Sequence, residues 1–516
     1  MAADHQLTQA REGAELVHHT GPPGRVEGAD GVRLLDYRVR TEEVVTQDGA
    51  MLAGGSLRSV SLSHPKRVGI MGHVGNENLG DESIIAAVIQ NIRDRWPDAE
   101  ICGFTIMPVD TQKRHGIPSF PIRRGSVSVL PGSPTADFVA TSDVTAAEPT
   151  SGSASGAQAT NSLLTQRVKE IVKAIPILST LMRGVMAALE VIPMIGKEFG
   201  FLVESRQRIK GLDLLLIAGS HQLNDFVDGP WAFPYTVLKW TLLARNAGAK
   251  VVFLSLGAGP IETWLGRRFL RYALQQASYR SYRDVTSKRW VDTLQGFDAD
   301  QIVPDLAFSL RFSIRSPESD RSSRPLVVGI NLLPFYGDYW FESDAEKYQA
   351  YVAKLAGFAD WLVERGGEVR FIPTQLKVDP EVATDVINQM KTKSKTEYAK
   401  LIVEPTFQSL DDLLSALSEL DIVVATRYHG ILLSLALQKP VLAIAYHDKS
   451  RDLMKWFGLG NYVIEGKTFR VEELTDRFAA LEKHSASITS SLREQMPKFK
   501  SSLQIQYDTV FNLIDG

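Results

Sequence analysis

Residues 423–450, VVATRYHGILLSLALQKPVLAIAYHDKS, contain a complete strand–helix–strand unit. An apolar run typical of a buried strand ends at Thr426, and a short polar segment leads from there into an apolar helical stretch. A second apolar run follows and gives way to polar residues at Tyr446. Strands that are apolar along their whole length are typical of parallel sheets with helices on both faces. This stretch therefore predicts an α/β fold.

The same alternation begins at Pro65 and forms two series, which the polar segment 311–324 separates. We predict two Rossmann-like domains facing across a cleft in a GT-B-like arrangement, with ligands outside the carboxyl ends of the strands. The domains comprise residues 65–310 and residues 311–516, the second ending in additional helices. Residues 1–64 form an N-terminal extension to which the sequence assigns no role.

An insert at residues 124–205 interrupts the first domain. Within it, residues 131–160 are rich in Ser, Thr, Ala, Gly and Pro, a composition that favours disorder. Residues 165–203 are strongly apolar but are interrupted by charges and prolines. One interpretation is a helical hairpin that packs on its own domain or on a second subunit of a homo-oligomer. The other is a peripheral contact with a membrane surface.

The composition is that of an ordinary globular protein. Of the 516 residues 44% are hydrophobic and 23% are charged, and the formal net charge is −3, which gives no support for a nucleic-acid partner. A single cysteine fits a reducing compartment. The sequence shows no secretory signal and no apolar run of about 18 residues. We therefore predict a cytoplasmic protein, placed at the inner face of the membrane if the apolar segment binds lipid.

The segment GHVGNENLGDES, residues 72–83, has nearly the spacing of a phosphate-binding P-loop. Asp81 and Glu82 stand where such a loop has lysine and a hydroxyl, so a triphosphate is disfavoured there. The carboxylates suit the first turn of a helix, or else they meet sugar hydroxyls. We predict that Asn78 and Asp81 contact an acceptor; the alternative is a tight turn without a ligand.

Two further strand ends carry small or polar residues. IAGSHQLND, residues 217–225, supplies His221, Asn224 and Asp225 as candidate acceptor contacts. SLGAGPI, residues 255–261, supplies Gly257 and Gly259, which permit close approach of the backbone to a ligand. Each signal is weak alone, and their recurrence at three strand ends of one predicted sheet is what points to a site.

Candidate anion ligands follow three other strands. Arg283 has a planar fork that suits carboxylate or phosphate, although a local ion pair with its neighbour in the chain is the alternative. Arg427 and His429 lie at a helix start, where the amides that begin the helix at Gly430 add attraction for an anion. Lys449 follows the next strand and adds positive charge.

Several ordered motifs together resemble the polysaccharide pyruvyl transferase family over residues 65–470, apart from the insert. The motifs are NLGDE at 78–82, RDVTS at 283–287, PD at 304–305, RYH at 427–429 and YHDK at 446–449. The chain departs from the family at 218–222, AGSHQ, where members carry a glycine-rich run. The resemblance implies a GT-B-like fold and transfer of pyruvyl from phosphoenolpyruvate to a sugar, usually as a cyclic ketal.

In this interpretation phosphoenolpyruvate is a co-substrate, and neither a cofactor nor a metal is required. Arg283 and Arg427 clamp the anionic donor, while His429 acts as general acid or as a cationic donor to phosphate. Asp81 or Asp225 orients the acceptor hydroxyl. The acceptor is a sugar or a lipid-linked oligosaccharide of an exopolysaccharide or cell-surface glycan. Two alternatives stay open: a GT-B glycosyltransferase that uses a nucleotide-sugar, and a non-catalytic sugar-binding member of a polysaccharide assembly complex.

Overall fold

A computed structural model describes residues 64–72, 77–124, 196–226, 229–312, 324–337, 343–392, 402–403 and 407–515. These residues belong to one compact unit, Ser63–Gly516. Three sequence predictions lie wholly or mostly outside the described residues: the N-terminal extension, the disorder of 131–160, and the structure of 165–203 up to residue 195.

The first lobe is built on a seven-stranded parallel sheet with the order β3-β2-β1-β4-β5-β6-β7. Its strands are β1 Arg67–Met71, β2 Glu100–Thr105, β3 Ser119–Pro121, β4 Leu214–Ala218, β5 Lys250–Leu256, β6 Tyr279–Tyr282 and β7 Gln301–Ile302. Its helices are α1 Leu79–Arg95, α2 Pro108–His115, α3 over 196–209, α4 Phe233–Asn246, α5 Trp264–Gln275 and α6 Val285–Asp292. The strand order reverses between β1 and β4, which opens a crevice at their carboxyl ends.

The second lobe is built on a six-stranded parallel sheet with the order β10-β9-β8-β11-β12-β13. Its strands are β8 Val327–Asn331, β9 Glu368–Phe371, β10 Ile402–Val403, β11 Ile422–Ala425, β12 Val441–Ala445 and β13 Val463–Glu465. Its helices are α7 Ala345–Glu364, α8 Asp379–Gln389, α9 Leu410–Glu419, α10 Tyr428–Ala436, α11 Asp448–Trp456, α12 Val471–Lys483 and α13 Ser485–Phe511. A second order reversal lies between β8 and β11. These two sheets confirm the predicted pair of Rossmann-like domains facing across a cleft.

Buried packing fixes the two lobes against one another. One hydrophobic cluster includes Leu79 and Val88 on α1 of the first lobe together with Leu432 on α10 of the second. The last helix, α13, then returns to the first sheet, where the Gln506 side chain bonds the hydroxyls of Ser255 and Ser281. The carboxyl edges of the two sheets are therefore held at a defined separation.

Most strands and helices lie where the apolar pattern predicts them, and the predicted C-terminal helices are present as α12 and α13. Four elements that the apolar pattern does not predict are α2, β3, α11 and β13, which are short or polar. In the part of the chain that the structure describes, no helix is both long and apolar enough to cross a membrane.

Candidate active site between the two lobes

A cavity of about 210 Å³ lies between the lobes, at the carboxyl ends of strands from both sheets. The cavity is lined by Asn78, Asp81, Ser220, His221, Arg283, Thr374, Arg427, Tyr428, His429, Tyr446 and Lys449. Pockets for drug-sized ligands typically measure about 300–1,000 Å³, so this volume suits a small metabolite. The structure thus brings together seven of the side chains predicted from sequence, from three strand ends of the first lobe and two of the second.

Arg283 supplies the positive charge of the first lobe. Only 2% of this residue is exposed, and its Nη1 lies 3.0 Å from Oδ2 of Asp305. The guanidinium also lies 4.5 Å from the centroid of the Tyr428 ring, across the interface between the lobes. An added Cβ on Gly257 would approach Nη2 of Arg283 to 2.8 Å, so the glycine makes room for this side chain. The predicted ion pair with Asp284 is also present at 3.5 Å, and Arg283 still lines the cavity.

Arg427 supplies the matching charge of the second lobe. Its Nε donates to both carboxylate oxygens of Asp379 at 2.8 Å, and Nη2 donates to Oδ1 at 2.5 Å. The Asp379 side chain is fully buried and also accepts from the backbone amides of Thr374 and Gln375. Among the described residues no acceptor bonds Nη1 of Arg427, so this end of the fork remains for a ligand. Sequence reasoning missed Asp379, because nothing local connects it with an arginine 48 positions away.

His429 packs against the first turn of α1. A Cβ on Gly80 would collide with the His429 side chain, so Gly80 permits the close contact between the lobes. Burial lowers the pKa of His429 to about 4; the Asp81 carboxylate opposes this, and Arg283, Lys449 and Arg427 add to it. The imidazole is therefore neutral at pH 7, whereas the sequence analysis allowed a cationic donor to phosphate at this position. Its Nε2 is buried and carries no hydrogen bond within the described residues.

Lys449 lies at the start of α11, with its Nζ 5.5 Å from the centroid of the Tyr428 ring. Tyr428 thus contacts Arg283 and Lys449. Burial, together with the Arg283 guanidinium, lowers the pKa of Lys449 to about 8. The ammonium is therefore still mostly charged at pH 7, but it lies close enough to neutrality to release a proton readily.

The two carboxylates of the NLGDE turn have different surroundings. Asp81 lines the cavity, and its Oδ2 accepts a hydrogen bond of 2.8 Å from Nδ2 of Asn78, whose Oδ1 caps α1 by accepting from the Gly80 amide. Glu82 is buried beneath the turn and lies 2.6 Å from Nε2 of His115. The carboxylate of Asp81 therefore faces the cavity, whereas that of Glu82 contacts His115 inside the first lobe.

His221 reaches the cavity from the end of β4, where the family carries a glycine-rich run. A Cβ on Gly259 would collide with the imidazole, so this glycine accommodates the side chain. The ring of His221 lies edge-on to that of His447 in the second lobe, with centroids 5.9 Å apart. Burial lowers the pKa of His447 to about 4, so His447 is uncharged at neutral pH. His221 thus adds a ring to the wall of the cavity, which still has a volume of about 210 Å³.

Other predicted residues support the site from outside the cavity. Asp225 accepts from the backbone amides of Glu262 and Thr263 at 2.8 Å and so ties the loop after β4 to the start of α5. Asn224 bonds the His221 carbonyl oxygen at 2.6 Å. Gly430 lies against Asn331, whose Oδ1 accepts from the Arg427 amide at 3.1 Å. In the structure Gly257, Gly259 and Gly430 make room for neighbouring side chains. From the sequence, Gly257 and Gly259 were predicted to let a ligand approach the backbone, and Gly430 to begin the helix whose amides attract an anion.

Backbone hydrogen bonds connect the lobes beside the cavity. The Leu79 amide donates to the Thr374 carbonyl oxygen at 2.8 Å, and the Leu376 amide donates to the Glu77 carbonyl oxygen at 2.9 Å. Because Asp379 accepts from the Thr374 amide and also holds Arg427, the turn that carries Asp81 is linked to the arginine of the opposite lobe. Asp81 and Arg427, which line the cavity from opposite lobes, are therefore connected through these contacts.

Comparison with known proteins identifies one family. The family model for polysaccharide pyruvyl transferase matches residues 78–448. No curated protein sequence matches the chain. UDP-GlcNAc 2-epimerase from Neisseria meningitidis has a similar structure with TM-score 0.47 and 10% identity, covering 87% of this chain and 100% of that one. ADP-heptose LPS heptosyltransferase II from E. coli has TM-score 0.38 and 12% identity, covering 80% of this chain and 98% of that one.

Proposed function

The chain belongs to the polysaccharide pyruvyl transferase family, and we propose that it transfers a pyruvyl group from phosphoenolpyruvate to a sugar of an exopolysaccharide or cell-surface glycan. The observation that carries this proposal is the convergence of Arg283, Arg427 and Lys449 on one small cavity. Phosphoenolpyruvate presents phosphate and carboxylate groups close together. Cations from opposite lobes suit such a compact anion.

The two arginines hold the donor. Arg427 offers Nη1, because Asp379 already fixes its Nε and Nη2. Arg283 is held by Asp305 and by the Tyr428 ring, so both guanidinium groups are oriented before the donor arrives. Charge-assisted hydrogen bonds from preorganised arginines are about twice as strong as neutral ones. No reorganisation of the site is then needed to bind the anion.

The proton that activates the donor comes from Lys449 or His429. Addition of a proton to the methylene carbon makes a methyl group and leaves the neighbouring carbon electrophilic. Lys449 carries a proton at neutral pH and has a pKa of about 8, which suits a general acid. Burial keeps His429 neutral at pH 7, but a bound phosphate raises the pKa of the imidazole and allows it to donate a hydrogen bond to phosphate.

The acceptor approaches from the side of Asp81 and His221. Asp81 accepts the proton of a sugar hydroxyl, and the oxygen of that hydroxyl forms a bond to the electrophilic carbon of the donor. The bond between that carbon and the bridging oxygen then breaks, and phosphate leaves with the oxygen. A second hydroxyl of the same sugar bonds the carbon and gives its proton to the departing phosphate, which closes a cyclic ketal. One molecule of phosphoenolpyruvate and one diol thus give one ketal and one phosphate, with no change in oxidation state.

The test is an assay with purified protein, phosphoenolpyruvate and candidate sugars, in which released phosphate and the mass of the sugar are both measured. We expect phosphate release together with the mass gain of one pyruvyl ketal, and loss of both in the His429→Ala variant while circular dichroism stays unchanged. Thermal-shift screening adds a control: stabilisation by UDP or GDP, and none by phosphoenolpyruvate, would contradict the proposal.

A further inference from the structure

The outer side of the first lobe exposes large aromatic side chains next to the cavity. Trp264 is 71% exposed, Trp231 is 65% exposed and Phe226 is 51% exposed. Trp264 begins α5 and Trp231 lies just before Ala232, the N-cap of α4, which places both at the carboxyl edge of the sheet, the edge at which the cavity lies. Large exposed apolar patches mark interaction sites on soluble proteins.

These aromatic residues belong to one continuous surface. The Trp231 ring lies 5.5 Å from the Phe269 ring, which joins α4 to α5. Nζ of Lys239 lies 3.0 Å from Oε1 of Glu198, which joins α4 to α3. The Thr263 amide donates to Asp225, so the residues that follow these two in the chain, Trp264 and Phe226, are held near one another. The Phe226 ring also lies near the cavity, because its centroid is 6.4 Å from that of His221.

Positive charge accompanies the aromatic rings on α5. This helix, WLGRRFLRYALQ, contains three arginines and no acidic residue. Leu270, Ala273 and Leu274 are buried against the lobe, whereas Trp264, Arg268, Arg271 and Tyr272 are exposed. Residues spaced by three or four positions share one side of a helix, so the exposed tryptophan, tyrosine and arginines form a single stripe.

We propose that this surface, the aromatic–basic face, docks on an anionic lipid surface. The face comprises Phe199, Phe226, Trp231, Trp264, Arg268, Arg271 and Tyr272. Tryptophan and tyrosine rings favour the headgroup level of a bilayer, and arginines beside them bind anionic lipid phosphates. A neutral saccharide stacked on the tryptophans would gain little from a row of arginines, so the charge pattern favours lipid.

The aromatic–basic face overlaps the segment 165–203, for which the sequence predicts a membrane contact, and adds further residues that the structure describes. Phe199 on α3 lies inside that range and is 67% exposed. Because the cavity and the two tryptophans, Trp231 and Trp264, lie at the same edge of the sheet, we infer that a sugar attached to a lipid in the docked surface would reach Asp81 and His221. This corollary, a lipid-linked acceptor, rests on the proposed pyruvyl transfer, whereas docking itself does not.

The experiment is sedimentation of the full chain with vesicles of phosphatidylcholine alone and with vesicles that contain phosphatidylglycerol. We expect binding to the anionic vesicles. Each exposed arginine near a bilayer contributes enough to change affinity about fivefold, so Arg268→Gln combined with Arg271→Gln weakens binding about 25-fold. Trp231→Ser combined with Trp264→Ser weakens binding at least about tenfold. The matched control is Ile505→Ser, because Ile505 is 60% exposed on α13, outside the face.

Absence of vesicle binding, or equal weakening in the Ile505→Ser control, would overturn the docking face. A dimer that the paired tryptophan variant dissociates would overturn it as well, because the face would then be a subunit interface. Phosphate release with a soluble sugar is measured on the same samples. A chain that binds anionic vesicles but releases no phosphate contradicts pyruvyl transfer and leaves the docking face supported.

Discussion

The two arginines that reach the cavity are anchored differently by the two lobes. Arg283 in the first lobe is almost fully buried and is paired with Asp305, which is itself 1% exposed. Arg427 in the second lobe keeps 17% of its side chain exposed and leaves Nη1 without an acceptor among the described residues. We therefore expect Arg283 to contribute both to the stability of the fold and to donor binding, and Arg427 to contribute mainly to donor binding. Equivalent substitutions at the two positions should separate stability from donor binding.

The largest effect is expected from Arg283→Met. Removal of one partner from a buried ion pair costs about 3–5 kcal/mol, because the Asp305 charge stays buried without compensation. We expect a loss of that size in the free energy of unfolding, measured by urea titration, together with loss of phosphate release. Adding Asp305→Asn to the same chain should restore most of the stability and none of the activity. Restored activity would show that Arg283 supports only the fold.

A large effect on activity alone is expected from Arg427→Lys. A lysine keeps the charge beside Asp379, but it cannot hold a carboxylate and a ligand with one planar fork. We expect about a 100-fold loss in kcat/KM for phosphoenolpyruvate, with the free energy of unfolding changed by less than about 1 kcal/mol. A change in kcat/KM of less than threefold would show that Arg427 does not bind the donor.

A smaller effect is expected from Asp379→Asn, which keeps the shape of the side chain and removes its charge. The Arg427 guanidinium then loses its orientation, so KM for phosphoenolpyruvate should rise about tenfold while kcat changes less. Asp360→Asn is the matched control, because Asp360 is a buried carboxylate of the same lobe that bonds the amides of Lys391 and Thr392. Equal changes in KM for both variants would reduce Asp379 to a structural role.

The smallest effect on donor binding is a shift in its pH dependence at Lys449. The pKa of about 8 means that the ammonium is charged below pH 8 and loses its charge as the pH rises through that value. Affinity for phosphoenolpyruvate should therefore fall above pH 8 in the native chain. In the Lys449→Arg variant the affinity should stay constant above pH 8, because arginine keeps its charge. If Lys449 is also the proton donor, the arginine variant binds the donor but does not release phosphate. A variant with the native pH profile would exclude Lys449 from binding.

The sequence predicted the fold because its strands are continuous apolar runs, and the predicted arginines, histidine and lysine reach the cavity because carboxyl ends of parallel strands meet at one edge. The apolar pattern does not predict contacts between residues that are distant along the chain. Asp379 holds Arg427, and Gly80 admits His429, through contacts that exist only after the lobes pack. The low pKa of His429 was missed for the same reason, since burial between the lobes produces it.

The most direct test of the central claim is calorimetric titration of phosphoenolpyruvate at about pH 7.5, where the phosphate is almost fully ionised, in buffers of different ionisation enthalpy. The account predicts binding at one site with uptake of a proton, because the bound anion raises the pKa of His429 from about 4 and increases the charge of Lys449. His429→Asn should bind with less proton uptake. Absence of binding by phosphoenolpyruvate, with binding of a nucleotide-sugar under the same conditions, would contradict the account.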